Sequence, residues 1–161
     1  MVAPKTLVVS LVLASIDYCN SLLAGLPTVI GKLQRVQNSA AHLVVRAPPH
    51  VHITPILRHI QWLPVKAQMF YKIACYHLLH PCLSLPNLLH QYTPSRSLRS
   101  SADTSLLKIP LWKCKKKGDR TFPYFGPSVW NSLPLHIRNS TTIDTFKSAL
   151  KTYLFNLQES D

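Results

Sequence analysis

Residues able to carry acid–base or metal chemistry are few in this sequence and widely spaced. The acids are Asp17, Asp103, Asp119, Asp144, Glu159 and Asp161, in a chain of 161 residues. Two-metal nucleotidyl transfer needs carboxylates gathered around its ions, and glycoside hydrolysis needs a facing carboxylate pair. No two of these acids are adjacent, and the closest pair lies at the tail. Neither centre can be built from this supply. Cys75, His77, His80 and Cys82 are the right residue types for a Cys2His2 zinc site. On one helix, however, Cys75 and His77 point about 200° apart, so four ligands cannot converge. His50 and His52 are close in sequence but have no companions. Ser148-Ala149-Leu150-Lys151 fits the SxxK pattern of penicillin-recognising enzymes without the motifs that accompany it. There is no glycine-rich phosphate loop and no nucleophile elbow. The expectation is a protein that is not an enzyme, with no cofactor, no metal and no small-molecule substrate.

What the sequence does supply is positive charge. Lys and Arg number 18 against 6 acids, a net charge of +12. Such an imbalance points to polyanionic partners, nucleic acid or an anionic membrane surface first. Half of it falls between Thr93 and Arg120, where eight cations (Arg96, Arg99, Lys108, Lys113, Lys115, Lys116, Lys117 and Arg120) meet two acids. The run KCKKKGDRTFPYFGPSVWNSLP (113–134) sets five cations just ahead of Phe122, Tyr124, Phe125 and Trp130. Cations followed by rings suit a nucleic-acid surface, and they equally suit a basic loop entering a small core. The lysines read as loop residues able to contact phosphates. Phe122, Phe125 and Trp130 read as core in front of an apolar helix, with base stacking as the alternative. Gly118-Asp119-Arg120 reads as a turn.

The elements that must position these groups are helical. An apolar stretch over 6–24 ends at Gly25 with Pro27 beyond and reads as a central helix. Thr28 can cap a second helix to about Arg46, with Ile30, Leu33, Val36, Ala40, Leu43 and Val44 at helical spacing. Lys32, Arg35, His42 and Arg46 take other positions, with Gln34, Gln37 and Asn38 between them. This is a basic, amide-rich face that is either simply solvated or in contact with phosphates. Thr54 followed by Pro55 caps a short helix, and Pro64 starts a longer one to about His80. A short helical turn follows in LPNLLHQY (85–92). Residues 93–121 read as a long Ser-rich basic loop with one or two short strands around Leu106–Leu111. Thr141 and Asp144 have capping-box spacing for a last helix to Phe155, with Ile143, Phe146, Ala149, Leu150, Tyr153 and Leu154 as its core face. The predicted fold class is mainly α, with several short-to-medium helices, a long basic loop and at most a small β-hairpin. The predicted segments are 1–92, 93–121, and 122–161 packing on the first. The 13 prolines against 4 glycines agree with short helices stopped at Xaa-Pro junctions.

Cys19, Cys75, Cys82 and Cys114 permit disulfides but lack the spacing of a disulfide framework, and reduced thiols in an intracellular chain are the simpler reading. The apolar run Leu7–Ala14 resembles a signal peptide yet is too short to span a bilayer. A buried helix is the competing and preferred reading, and Asn139-Ser140-Thr141 is a glycosylation sequon only if the chain is secreted. The expected location is therefore the nucleus or cytoplasm, with no membrane span.

Seven stretches, in order, carry a resemblance: SLVLASIDYCNSLLAGLP (10–27), KLQRVQNSAAHLV (32–44), HITPILRHIQWLPVKAQMFYKI (52–73), YTPSRSLRSS (92–101), GDRTF (118–122), VWNSLPLHIR (129–138) and TFKSALKTYLF (145–155). Together they resemble the carboxy-terminal, post-thumb region of the reverse transcriptase polyprotein of jockey-superfamily non-LTR (LINE-type) retrotransposons. The resemblance implies a parent with an endonuclease and an RNA-directed DNA polymerase that binds its own RNA and nicked target DNA. Its palm Asp-Asp motif would lie upstream of anything in this sequence, so no catalytic residue transfers. The pattern departs from the family at KAQMF (66–70), at HPCLSLP (80–86) and at His136. Three readings follow. The first is a non-catalytic fragment that binds RNA or DNA backbone, or scaffolds, with Arg96, Arg99, Lys113, Lys115, Lys116, Lys117, Arg120, Lys32 and Arg35 as candidate phosphate contacts. The second is a structural remnant that packs against the missing upstream reverse transcriptase domain. The third and weakest is a small secreted protein.

Overall fold

The computed structural model describes residues 6–7, 9–19, 26–79, 90–93, 105–111 and 121–157. It is mainly α, as the sequence predicts. A π-helical turn over Val9–Leu13 runs into α1 (Ala14–Cys19), followed by α2 (Pro27–Val45), α3 (Ile53–His59), α4 (Val65–Leu79), α5 (Phe122–Asn131), α6 (Leu135–Arg138) and α7 (Ile143–Leu157). Among the described residues there is no strand, only an isolated antiparallel bridge between Gln91 and Leu107. That bridge stands where the sequence predicts at most a hairpin. No helix among these residues is long and apolar enough to cross a membrane. The predicted turn at 85–92 lies mostly outside the described residues. The chain divides into two compact units, Met1–Met69 with Leu154–Asp161, and Phe70–Tyr153.

In the first unit, Ala40, Ala41, Ile56, Leu57 and Trp62 form the core, with Val12, Leu13, Val44, Ala47, Ile53 and Ile60 against it. The opening helix is peripheral rather than central. Ile16 is buried, but Leu11 is 66% and Tyr18 85% exposed. A helix apolar all round needs only one side to meet the core, and here Val12 and Leu13 supply that side.

Helix starts differ from expectation by one or two residues. α2 begins at Pro27, not at a Thr28 cap, and the Leu26 carbonyl accepts from the amides of Val29 and Ile30 at 3.1 Å each. Proline at the first helical position brings a pre-set φ and no amide to satisfy, so no side-chain cap is required. α3 begins before Thr54: His52 Nδ1 accepts from the Thr54 amide at 3.4 Å, and Pro55 falls within the first turn. At α7 the reciprocal capping pair is Thr142 with Thr145, not Thr141 with Asp144. The Thr145 amide donates to Thr142 Oγ1 at 3.2 Å and the Thr142 amide to Thr145 Oγ1 at 3.3 Å.

Two helix ends turn through a left-handed residue that is not glycine. α2 leaves through Arg46 at φ 58°, and the turn after α3 passes through Gln61 at φ 60°. Each is locked by a bond spanning five residues, Ala47 to the His42 carbonyl at 3.1 Å and Trp62 to the Leu57 carbonyl at 2.8 Å. These bonds offset the left-handed strain that a glycine would have avoided.

In the second unit the largest buried side chains include Trp130, Ile137, Phe146, Leu150 and Val129. Trp130 stacks on Phe146 with ring centroids 5.8 Å apart, and Phe70 meets Phe125 at the same separation with tilted rings. The rings of the 122–130 stretch thus belong to packing: Trp130 is buried, and Phe122 and Phe125 are half-buried. On α7, Phe146 and Leu150 are buried, while Ile143, at the first position, is exposed; Leu154, also buried, belongs to the first unit.

Candidate nucleic-acid interface

Of the nine candidate phosphate contacts, Lys32 and Arg35 lie on α2, and both are exposed. Arg96, Arg99, Lys113, Lys115, Lys116, Lys117 and Arg120 lie outside the described residues. The described residues include the α2 face and the chain on either side of the basic loop.

The inward face of α2 is not the apolar stripe expected from spacing. Val36 and Leu43 are exposed, and Gln37 is fully buried in their place. Two amides expected on the solvated face point inward and bind the chain entering α4. Gln34 Oε1 accepts from the Val65 amide at 2.8 Å, and Gln37 Nε2 donates to the Leu63 carbonyl at 2.8 Å. Gln68 Nε2 reaches the same carbonyl at 2.7 Å. Val65 opens α4, so its N–H is one of the groups a helix start leaves without an intrahelical partner. Gln34 therefore caps one helix from another, and burying the pair is tolerable because every polar group found a partner.

The outward face carries the cations. At about 100° per residue, Lys32, Arg35, Ser39, His42 and Arg46 fall within an arc of roughly 80° opposite Gln37. Arg35, Asn38, Ser39, His42, Leu43, Arg46, Ala47 and Pro49 line an open concavity of about 790 Å³. No carboxylate is among these lining residues. Ser39 Oγ donates to the Arg35 carbonyl at 3.1 Å. His42 Nδ1 is enclosed and has no hydrogen-bond partner among the described residues. The fixed left-handed turn at Arg46 sets where that side chain departs.

In the second unit the middle of the predicted loop is tied down. Tyr92 donates its amide to the Leu106 carbonyl at 2.9 Å, and Lys108 to that of His90 at 2.8 Å. Tyr92 and Leu106 sit at the two ends of the Ser-rich stretch that carries Arg96 and Arg99. Asn131 then takes both polar groups of Leu107, accepting its N–H and donating to its carbonyl at 2.9 Å each. Trp130 Nε1 donates to the Ser105 carbonyl at 2.7 Å. Buried Arg138 donates through Nη1 to Ser105 Oγ at 3.1 Å and through Nε to the Leu133 carbonyl at 2.9 Å. Lys108 stays exposed on this segment. Sequence reasoning assigned Asn131 and Arg138 no role, because their partners lie some 24 to 33 residues distant.

No cluster of three or more His, Cys, Asp or Glu side chains among the described residues could hold a metal ion. His80 and Cys82 lie outside the described residues, and His52 is engaged as a helix cap. Cys75 is half-buried. Burial pushes its thiol up, and the nearby Lys147 and a hydrogen bond from Tyr71 offset only part of that rise. A thiol held protonated is the opposite of an activated nucleophile.

What the fold and this face define is a strongly basic, mainly helical protein. The sequence matches no protein-family model, no curated protein and no solved structure.

Proposed function

We propose that the protein is a non-catalytic, sequence-tolerant binder of RNA or DNA backbone that acts in the nucleus or cytoplasm, derived from the tail of a LINE-type reverse transcriptase. The observation that carries this reading is the net charge of +12, half of it within Thr93–Arg120. The exposed cations of α2 support it. Cationic side chains on such a surface displace counterions from phosphates, giving affinity that falls steeply with salt and reads little sequence. The derivation rests on the seven ordered stretches quoted above. The polymerase chemistry of such a parent is not part of the proposal, because the six acids are scattered along the sequence.

Filter binding with a single-stranded RNA and with a duplex DNA, across a salt series, tests this. Reversing Lys115, Lys116 and Lys117 to Glu should weaken both complexes. The log–log salt slope should flatten by roughly 0.7 to 0.9 for each phosphate left unneutralised. Absence of binding at low salt, or binding indifferent to the reversal, would reject the reading.

A second reading has its own observation. Leu7, Leu11 and Tyr18 on the opening helix are exposed. Apolar side chains facing solvent in series suit a scaffold that packs against another domain, here the upstream reverse transcriptase domain. A chain that aggregates alone yet dissolves when co-expressed with that domain would favour it. A monodisperse, soluble chain alone would count against it.

A further inference from the structure

The amides of α2 form a directional chain whose orientation is fixed at one end. The Val65 N–H can only donate, so the Gln34 atom facing it must be the carbonyl oxygen. That leaves Gln34 Nε2 as donor, and it gives to Gln37 Oε1 at 3.0 Å and to Asn38 Oδ1 at 2.8 Å. Gln37, its oxygen thus occupied, donates onward to the Leu63 carbonyl. Asn38, its oxygen turned toward Gln34, directs its NH2 group away from that bond, and Asn38 lines the concavity of about 790 Å³ beside Arg35 and Arg46. No group among the described residues accepts from that NH2. A backbone amide inside the unit thereby decides that the outer face of α2 presents donors: two guanidinium groups and one oriented carboxamide. No carboxylate is present among the lining residues to neutralise them.

Donors around a cavity without acids suit an oxyanion. From Lys32 to His42 the helix rises about 15 Å, comparable to four or five nucleotides of one strand at roughly 3.4 Å each. A run of phosphodiesters fits this length, whereas a single small anion would use one end of it. We propose that the outward face of α2 is a phosphodiester-binding surface, in which Arg35, Arg46 and the side-chain NH2 of Asn38 contact successive phosphate oxygens of a polynucleotide strand. Lys32 extends the same surface toward the start of the helix. This assignment rests on the nucleic-acid reading above and adds a defined surface to it, separate from the lysines of 113–117.

Asn38→Asp is a near-isosteric test. It keeps the oxygen that accepts from Gln34 and exchanges only the outward NH2 for an anionic oxygen. Asn156→Asp makes the same change on the exposed side of α7 and serves as control. Fluorescence anisotropy with a labelled 20-nucleotide oligo(U) and the matching oligo(dT) reads the affinity. Asn38→Asp is expected to weaken binding at least about tenfold, against less than about twofold for Asn156→Asp. Arg35→Gln and Arg46→Gln, both on exposed side chains, should each lower the salt slope by about 0.7. Millimolar inorganic phosphate should compete only weakly. The Asn38 side-chain amide resonance of the full-length protein should move on oligonucleotide addition.

If the wild-type chain binds but Asn38→Asp behaves like Asn156→Asp and the arginine variants keep the full slope, this surface is wrong and the broader reading stands. If the wild-type chain binds neither oligonucleotide at low salt, both fall. Tighter binding to phosphatidylglycerol vesicles than to oligonucleotides would also overturn the proposal, because the surface would then serve lipid headgroups.

Discussion

Both compact units hold a stretch of irregular backbone with side-chain amides, but they do so differently. In the first, Gln34, Gln37 and Asn38 form a relay whose polarity is set by the amide of Val65. In the second, Asn131 acts alone and satisfies both polar groups of Leu107, standing in for a neighbouring strand. The relay exports its orientation to the surface of α2. The single amide exports nothing and only fixes a segment. A buried amide can therefore be a connector or a clamp, and its neighbours decide which. An amide beside other amides shares its donors and passes direction along, whereas one facing a lone peptide group uses both its ends there.

The largest effects should come from the cores beneath these networks. Trp130→Ala removes a buried indole, its stack on Phe146 and its bond to the Ser105 carbonyl, and should cost about 3–5 kcal/mol. Leu57→Ala, which empties the core of the first unit without touching a hydrogen bond of its side chain, should cost about 2–5 kcal/mol. Urea melts followed by both far-UV and near-UV dichroism compare them. Trp130→Ala clearly milder than Leu57→Ala would show that the indole stack and its bond to Ser105 add little to the second unit's stability.

The amides themselves come next. Gln34→Glu keeps the acceptor for Val65 but removes both donors, leaving oxygens facing Gln37 and Asn38. Asn131→Asp keeps the acceptor for the Leu107 N–H and sets one oxygen against its carbonyl. Each should cost about 1–3 kcal/mol, with Gln34→Glu the larger because two bonds break rather than one. Equal costs would mean that Gln37 and Asn38 turn over freely and that the relay transmits no direction. That result would weigh directly on the surface inferred for α2.

The smallest effect is a gain. Gly31 is exposed on α2, and a Cβ there would meet nothing within 4 Å. Gly31→Ala should stabilise the first unit by about 0.5–1 kcal/mol, read as a raised thermal midpoint, since alanine loses less backbone freedom on folding. Because it leaves the relay intact, nucleic-acid affinity should not change. A change in affinity without a change in stability would show that the face of α2 is shaped by more than the side chains named here.

The sequence by itself determined what depends on nearby residues and on composition. Helical spacing and proline punctuation gave the helices and the mainly α class, and the excess of Lys and Arg gave the basic character. Helix starts were legible to within a residue or two, two of the errors falling where Pro27 and Pro55 can enter a first turn without needing an amide partner and the third at α7, where Thr142 rather than Thr141 makes the cap. Lys32 and Arg35 were legible as cations on a basic face, and both are exposed. Only the tertiary structure decided which side of α2 faces in. Leu43 is 64% exposed and Gln37 fully buried because the opening amide of α4 and the Leu63 carbonyl lie against that side. A hydropathy pattern assigns amides to solvent, since it cannot register a backbone donor 31 residues away that makes burial of the amide favourable. The same holds for Asn131 and Arg138, whose partners at Leu107 and Ser105 are distant in sequence and near only after folding. Charge is additive along a chain and can be counted there. The direction of a hydrogen bond depends on what the chain brings to meet it.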